Sequence, residues 1–397
     1  MKFGGTSVAT PEGRAAVAAR VTEALELDRA PVVVVSAMGR AGAPYATDTL
    51  LGLVAGLPAE PAETDLLAST GEVVAAVVVA HELRAAGVDA LAFTGGAAGI
   101  VTDGVFGAAQ VTEVHTGPLL AAIAAGRVPV VCGFQGVAPG GEVTTLGRGG
   151  SDTTACALGV ALSAAEVEIY TDVDGVMTAD PRTCSGVEVL ETISAEELFQ
   201  MAAAGSKVVH TPAAELALGS GMPVRVRNTY TDHPGTQVAD IAGYRPSQVA
   251  TAVSHASGVA RVRIALDAPE GSDGHMAAQT RVYRAMADAG VSLDMFTPAG
   301  ETLLFTVPEA AVTQVGDVVA ALGLTCEVTD ALAKVTLVGA GMHGVPGVMA
   351  RVAEHLSAAG VDVLQAADSH TTIAVLVRGD DCAAAVRALH DGFELAG

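Results

Sequence analysis

Four short segments of this chain combine glycine, hydroxyl and charged residues in patterns that suit an anionic ligand. In the first, Lys2-Phe3-Gly4-Gly5-Thr6-Ser7, paired glycines let backbone N–H groups approach a phosphate, and a helix start with Thr and Ser adds donors. Lys2 beside them suits the charge of a transferring phosphoryl group. Glycine pairs also serve plain turns, and the GxxxxGK[ST] spacing of a P-loop is absent. The second segment, Thr145-Leu146-Gly147-Arg148-Gly149-Gly150-Ser151-Asp152-Thr153-Thr154, sets an arginine among three glycines just before an Ala-rich helix. Asp152 or Ser151 can be read simply as an N-cap, but that leaves Arg148 unaccounted for. An arginine on flexible backbone at a helix start suits a small carboxylate.

The third segment, YTDVDGVMTADPR from Tyr170 to Arg182, follows a strand, carries three aspartates and ends in Pro-Arg. The D-x-D-x-D-G register and closing Glu of an EF-hand are missing. Its residues suit a loop around a ribose and polyphosphate, with Arg182 on the phosphates. The fourth, Gly205-Ser206-Lys207-Val208-Val209-His210, offers Lys207 as a second phosphate cation, and His210 reads as a packed or capping side chain.

These segments need a scaffold, and the surrounding pattern supplies one. Val32-Val33-Val34-Val35, Val128-Pro129-Val130-Val131, Val167-Glu168-Ile169-Tyr170 and Val224-Arg225-Val226-Arg227 are strand-length runs, with helical stretches at 72–86 and 152–163 between them. Buried strands alternating with helices predict an α/β fold with a mostly parallel sheet covered on both faces. Ligands in such folds bind at the carboxyl ends of the strands, where the glycine-rich segments fall. Beyond Tyr244 the pattern changes. Arg245-Pro246-Ser247 reads as a linker into a weak tandem repeat, in which VYRAMADAGVSLDM (282–295) resembles VAEHLSAAGVDVLQ (352–365) and Gly290 pairs with Gly360, an offset of 70. Strand-like runs at 260–264 and 303–307 flank the first helix, and runs at 334–338 and 372–377 flank the second. Each copy reads as βαββαβ, a ferredoxin-like unit, with the glycine as a left-handed C-cap.

Composition narrows the choice of partner. The 397 residues carry 21 basic and 44 acidic side chains, a formal charge of −23, which disfavours nucleic acid and membrane surfaces. Half the residues are apolar, yet the longest apolar stretch of the first third, 73–80, falls short of the roughly 20 residues a spanning helix needs. Met1 to Gly5 has no secretory-signal character, so a cytoplasmic chain with no membrane or nucleic-acid partner is expected. Five cysteines at scattered positions, with no CxxC, point to neither a disulfide framework nor a zinc site, and no metal-ligand set is expected in the protein itself.

Taken in order, KFGGTSV, TLGRGGSDTT, YTDVDGVMTADPR and AAGSKVVH resemble the aspartokinases of the amino-acid kinase superfamily, and the resemblance runs over essentially the whole chain. It implies an amino-acid kinase domain over 1–244 and two ACT domains over 245–330 and 331–397, with strands open to exchange between the two. It also implies transfer of the γ-phosphate of ATP, with Mg²⁺, to the side-chain carboxylate of L-aspartate. Lys2 would stabilise the transferring phosphate, Arg148 would pair with the α-carboxylate, and Asp152 would orient the reacting groups. Glu72, after Gly71, would hold the α-ammonium, and Thr47, Gly149, Gly150 and Ser151 would line the same substrate site. Lys2, Phe3, Gly4, Gly5, Thr171, Asp172, Met177, Thr178, Asp180, Arg182 and Lys207 would form the nucleotide pocket.

Family members usually carry a strand ahead of the lysine, and here a single residue precedes Lys2, so either the native start lies further upstream or the first strand is shortened. In the second ACT unit, Met342, Val345, Pro346, Gly347 and Val348 form the effector-type loop for an amino acid, opposite Asp368 and Ser369. The first unit has 271–275 there and lacks a Pro-Gly turn. YATDTLLGL and QAADSHTTIAVLV look most like the diaminopimelate-responsive branch, and the resemblance implies a homodimer or larger homo-oligomer built through the ACT units. Two rivals stay open at this point: a kinase of the same superfamily acting on another amino acid, and a non-catalytic regulatory subunit with a decayed kinase domain.

Overall fold

The computed structural model describes every residue except 207–218, 239–248, 269–270, 272–273, 343 and 397. The chain forms two compact units. The first takes Met1–Val176, Val189–Ala202 and the described part of 207–244; the second takes Met177–Glu188, Ala203–Ser206 and the described part of 245–397. The expected linker at 245–247 lies outside the described residues.

The first unit is built on strands β1 (Lys2–Phe3), β2 (Val33–Val35), β3 (Ala90–Phe93), β4 (Ile100–Thr102), β5 (Val111–Val114), β6 (Val128–Cys132), β7 (Gln135–Val137), β8 (Val143–Thr145), β9 (Val167–Thr171), β10 (Thr192–Ile193), β11 (Val224–Asn228) and β12 (Thr236–Val238). An eight-stranded sheet runs in the order β10-β12-β11-β9-β1-β2-β6-β3, parallel throughout except for the β11–β12 pair. The two-residue β1 sits at its centre, with Lys2 level with Val34 on one side and Ile169 on the other. A smaller sheet, β5-β4-β7-β8, projects from the sequence between β3 and the second glycine-rich segment. Its short hairpins lack the long valine runs that made the main sheet legible.

Helices of this unit are α1 (Gly5–Ala9), α2 (Pro11–Glu26), α3 (Thr47–Gly52), α4 (Pro61–Ala85), α5 (Gly117–Ala124), α6 (Gly150–Ala161) and α7 (Ala195–Ala203). Thr10 caps α2, its hydroxyl accepting from Gly13 N at 3.1 Å, and Pro11 opens the helix where its missing N–H costs nothing. The helix read at 72–86 begins earlier, at Pro61, and its 25 residues pack on β3, β6 and β8. Among the described residues it alone is long and apolar enough to cross a bilayer. Half of its apolar window is buried inside the protein, and it carries the buried acids Asp65 and Glu72. Val17, Val21, Val33, Val35, Val79, Leu83 and Val130 interdigitate in the core between helices and sheet.

In the second unit β13 (Ala252–Ala265), β14 (Asp294–Ala299), β15 (Thr302–Pro308), β16 (Cys326–Val338), β17 (Gln365–Asp368) and β18 (Thr372–Arg378) form one antiparallel sheet in the order β14-β15-β13-β16-β18-β17. Helices α8 (His275–Asp288), α9 (Val312–Ala321), α10 (Val348–Ala358) and α11 (Cys382–Gly392) belong to it. Both repeats are βαββαβ, but they share their long strands. Residues 259–265 of β13 open the first repeat beside β15, while residues 252–257 close the second beside β16. Gly290 and Gly360 end α8 and α10 at φ +70° and +71°. The N–H of Val291 and that of Val361 reach back to Met286 O and Leu356 O at 2.9 Å, the expected left-handed termination.

Candidate active site

β1 delivers Lys2 to the carboxyl edge of the central sheet. Phe3 is a core residue whose ring stacks on Tyr170 of β9, centroids 4.6 Å apart, which fixes the strand behind the lysine. The chain then turns through Gly4 into α1. At Gly5 a side chain has no room, because a Cβ would lie 2.4 Å from Ala37 O and 2.8 Å from Gly39 O. Gly39 N donates to Gly5 O at 3.0 Å, so the loop after β2 is laced to the glycine pair. On the other side the Ser7 and Thr229 hydroxyls share a buried hydrogen bond of 2.8 Å, and Thr229 N donates to Thr171 O. The ends of β1, β2, β9 and β11 therefore converge on one place.

α6 enters from the second glycine-rich segment. Gly147 and Gly149 adopt φ of +71° and +74°, a conformation open to glycine at little cost, so the chain can reverse around Arg148, which is exposed. Ser151 and Asp152 lie buried in the first helical turn. A Cβ at Gly133 would lie 2.7 Å from the Ser151 side chain, so glycine there leaves space for it. Asp152 Oδ1 forms an ion pair with Lys2 Nζ at 2.6 Å, both groups largely withdrawn from water. This pair holds the ammonium at the amino end of a helix, where the helix dipole also favours anions.

α4 contributes Glu72. Its Oε1 accepts from Ala37 N at 3.0 Å, whereas Oε2 is buried and has no hydrogen-bond partner. Burial pushes the carboxyl up to about 7, although the Ala37 N–H opposes the shift. A buried carboxylate with one free oxygen is a natural seat for a cationic group that would restore its charge. Gly71 packs against Ala37, where a Cβ would approach the Ala37 methyl and Tyr45 O to 2.7 Å. Thr47 opens α3, the next helix along the chain from that loop.

Of the expected nucleotide residues, Thr171 ends β9 in the first unit and Asp172 follows it. Arg40 Nη2 lies 3.3 Å from Asp172 Oδ2. Met177, Thr178, Asp180 and Arg182 belong to the second unit. There Thr178 is buried, its hydroxyl bonded to His390 Nε2 at 2.9 Å and its carbonyl accepting from Val253 N. Asp180 binds the Arg182 guanidinium with both oxygens, and that contact holds the aspartate below its ordinary range. Lys207 lies outside the described residues. The candidate effector residues also fall in the second unit. Met342 and Val348 are buried at the two ends of a loop whose Val345, Pro346 and Gly347 are exposed. Gly339 N donates to Thr371 O, which brings this loop beside the Asp368–Ser369 turn. Among the described residues no three His, Cys, Asp or Glu side chains gather as metal ligands, and all five cysteines are free.

Sequence reasoning passed over the Ala37-Met38-Gly39-Arg40 loop, Thr229 and Asp65. The first had a readable signal: a glycine shortly after a parallel strand, at the edge where such folds bind ligands. Ser7 and Thr229 are 222 residues apart and pair only through the folded sheet.

Comparison with known proteins identifies the family. The amino acid kinase family profile matches residues 1–228, and an ACT domain profile matches 327–391. Aspartokinase 1 of Bacillus subtilis is 40% identical over 401 residues, covering 99% of this chain and 98% of the relative. The aspartokinase of Mycobacterium tuberculosis is 40% identical over 413 residues, covering 100% and 96%. Among solved structures, aspartokinase III of E. coli in complex with aspartate and ADP superimposes with a TM-score of 0.80 at 26% identity, covering 99% of both chains. The same enzyme with lysine and aspartate gives 0.79, covering 99% and 98%. A profile spanning more than half the chain and full-length relatives at 40% identity put this protein in the aspartokinase family, an amino-acid kinase joined to a C-terminal ACT region.

Proposed function

We propose that Lys2, Glu72 and Arg148 are the charged groups through which this aspartokinase transfers the γ-phosphoryl group of ATP to the side-chain carboxylate of L-aspartate, giving 4-phospho-L-aspartate and ADP. The nucleophile is already ionised at neutral pH, since a free aspartate side chain titrates near about 3.9, so no general base is needed. The protein's task is alignment and the offsetting of repulsion between a carboxylate and a triphosphate. Lys2, held by Asp152, suits the transferring phosphoryl group, with Gly4 and Gly5 offering backbone donors. Glu72 takes the α-ammonium on its unpartnered oxygen, and Arg148 takes the α-carboxylate, with Thr47, Gly149, Gly150 and Ser151 around them. Mg²⁺ enters on the phosphates of ATP, the usual mode for an ion that keeps much of its water and needs few protein ligands. Thr171 and Asp172 of the first unit, together with Lys207, are assigned to the nucleotide.

The observation that carries this reading is the Lys2–Asp152 ion pair of 2.6 Å at the glycine pair, within the same unit as the half-satisfied Glu72. The test is coupled ADP release with Mg-ATP and L-aspartate, with hydroxylamine present to trap the acyl phosphate. Aspartate-dependent hydroxamate abolished by Lys2→Ala supports it. Turnover with another amino acid in place of aspartate, or amino-acid binding with no turnover, refutes it.

Regulation follows the same logic. The loop 342–348 and the Asp368–Ser369 turn are assigned to an amino-acid effector, diaminopimelate by the likeness of YATDTLLGL and QAADSHTTIAVLV to that branch. The kinase domain is taken as 1–244, the ACT domains as 245–330 and 331–397 with residues 252–257 exchanged into the second, and the assembly as a homodimer or larger through the ACT region. A cytoplasmic location goes with the use of ATP and free aspartate. Inhibition by diaminopimelate that is lost on Asp368→Ala, with basal turnover kept, tests the effector assignment. Inhibition by lysine alone contradicts it.

A further inference from the structure

Asp65 lies buried on α4, and both of its carboxylate oxygens are committed. Oδ2 accepts from Thr145 N at 2.7 Å and from Gly107 N at 2.9 Å, and Oδ1 accepts from the Thr145 hydroxyl at 3.0 Å. Thr145 is the last residue of β8, and only Leu146 to Gly149 separate it from α6. The chain that displays Arg148 is thus a four-residue bridge, fixed at one end by Asp65 and at the other by the helix whose Asp152 holds Lys2. Glu72 stands seven residues beyond Asp65 on the same helix, two turns or about 10 Å along one face.

We infer that Asp65 is a positioning residue for aspartate recognition: through Thr145 it sets where the Arg148 loop stands relative to Glu72. The inference rests on the roles proposed above for Arg148 and Glu72. One rigid helix then carries the group for the α-ammonium and anchors the loop for the α-carboxylate, so the separation of the two is fixed before substrate arrives. A carboxylate suits this task better than a neutral side chain. It presents acceptors alone to three converging donors, and charge-assisted bonds of this kind are short and directional.

Asp65→Asn replaces one acceptor by an NH₂ that faces a donor. A misplacement of about 1 Å at a reacting or binding group can cost on the order of a hundredfold, so a partial slip should raise KM for aspartate about tenfold or more. KM for ATP should stay within about twofold, because Lys2 and Asp152 are held independently. The deciding measurement is a double-mutant cycle with Arg148→Lys, which keeps a cation and measurable turnover. If Asp65 acts through Arg148, Asp65→Asn adds less than about threefold to KM for aspartate in that background. Full additivity, or equal increases in both Michaelis constants, overturns the assignment and leaves Asp65 a purely structural residue. Should Asp65→Asn not accumulate as folded protein, Thr145→Val and Thr145→Ser decide the matter instead. The valine should raise KM for aspartate selectively and the serine should restore it; identical behaviour of the two overturns the inference. Failure of the unmodified protein to turn over aspartate would instead remove the functional reading on which the inference stands.

Discussion

Glu72→Gln separates the charge of this side chain from its shape. In the free protein burial lifts the carboxyl from its usual 4.5 to about 7. The ionised form that an α-ammonium needs is then about nine-tenths populated at pH 8 and about one-tenth populated at pH 6. Since kcat/KM reports the free enzyme, kcat/KM for aspartate should fall about tenfold between pH 8 and pH 6. In the glutamine variant it should be low and flat over that range. Stability should move the other way. The folded chain retains a proton that the unfolded chain releases near 4.5, so this group's contribution is intact below that pH and is lost as pH rises towards about 7. The loss is about 3 kcal/mol once both states are ionised. Glu72→Gln should therefore melt several degrees above the parent at pH 8, with the gap closing towards pH 4.5. Initial rates at subsaturating aspartate and saturating Mg-ATP, with melting scans across the same pH series, read both effects. A flat profile in the parent, or the same acid limb in the variant, would refute the assignment of the ammonium to Glu72.

Lys2→Ala should cut kcat by about a hundredfold or more while leaving KM for aspartate close to its parent value, because the interaction it removes forms at the transferring phosphoryl group; steady-state kinetics decide it. Arg148→Ala should do the converse and raise KM for aspartate far more than KM for ATP. Gly5→Ala forces a methyl group against the carbonyls of Ala37 and Gly39, and should impair turnover by more than about tenfold, since neither backbone can yield cheaply. In the second unit, Leu337→Ala opens a cavity at a fully buried side chain of β16 at a cost of about 2–5 kcal/mol, which calorimetry would register as a lowered transition.

How much of this was legible beforehand depended on the range of the interaction. The central strands were readable because valine runs buried on both faces leave an unbroken apolar signature, and the two repeats because Gly290 and Gly360 mark equivalent helix ends. Lys2, Arg148 and Asp152 stood out because each sits in a glycine-rich segment that runs into a helix start, where backbone N–H groups can meet an anion. Asp65 left no such trace. On paper it is one acidic residue in the first turns of an apolar helix, and its meaning lies in Thr145, 80 residues away. The half-satisfied state of Glu72 was equally hidden, because it depends on the Ala37 N–H and on the packing of α4 against the sheet. The membership of Met177–Glu188 in the second unit was invisible for the same reason. Its anchors, Val253 and His390, are distant in sequence.

The sharing of β13 and β16 between the two C-terminal repeats has a consequence for how this region can evolve and be engineered. The closing strand of the second repeat, residues 252–257, precedes the first repeat in the chain, so a fragment cut between the halves strands an open sheet edge on each side. Such edges invite pairing with other chains. A gene shortened to a single repeat would therefore yield an aggregating or strand-swapping product, and duplicating or grafting this module requires moving both halves as one piece.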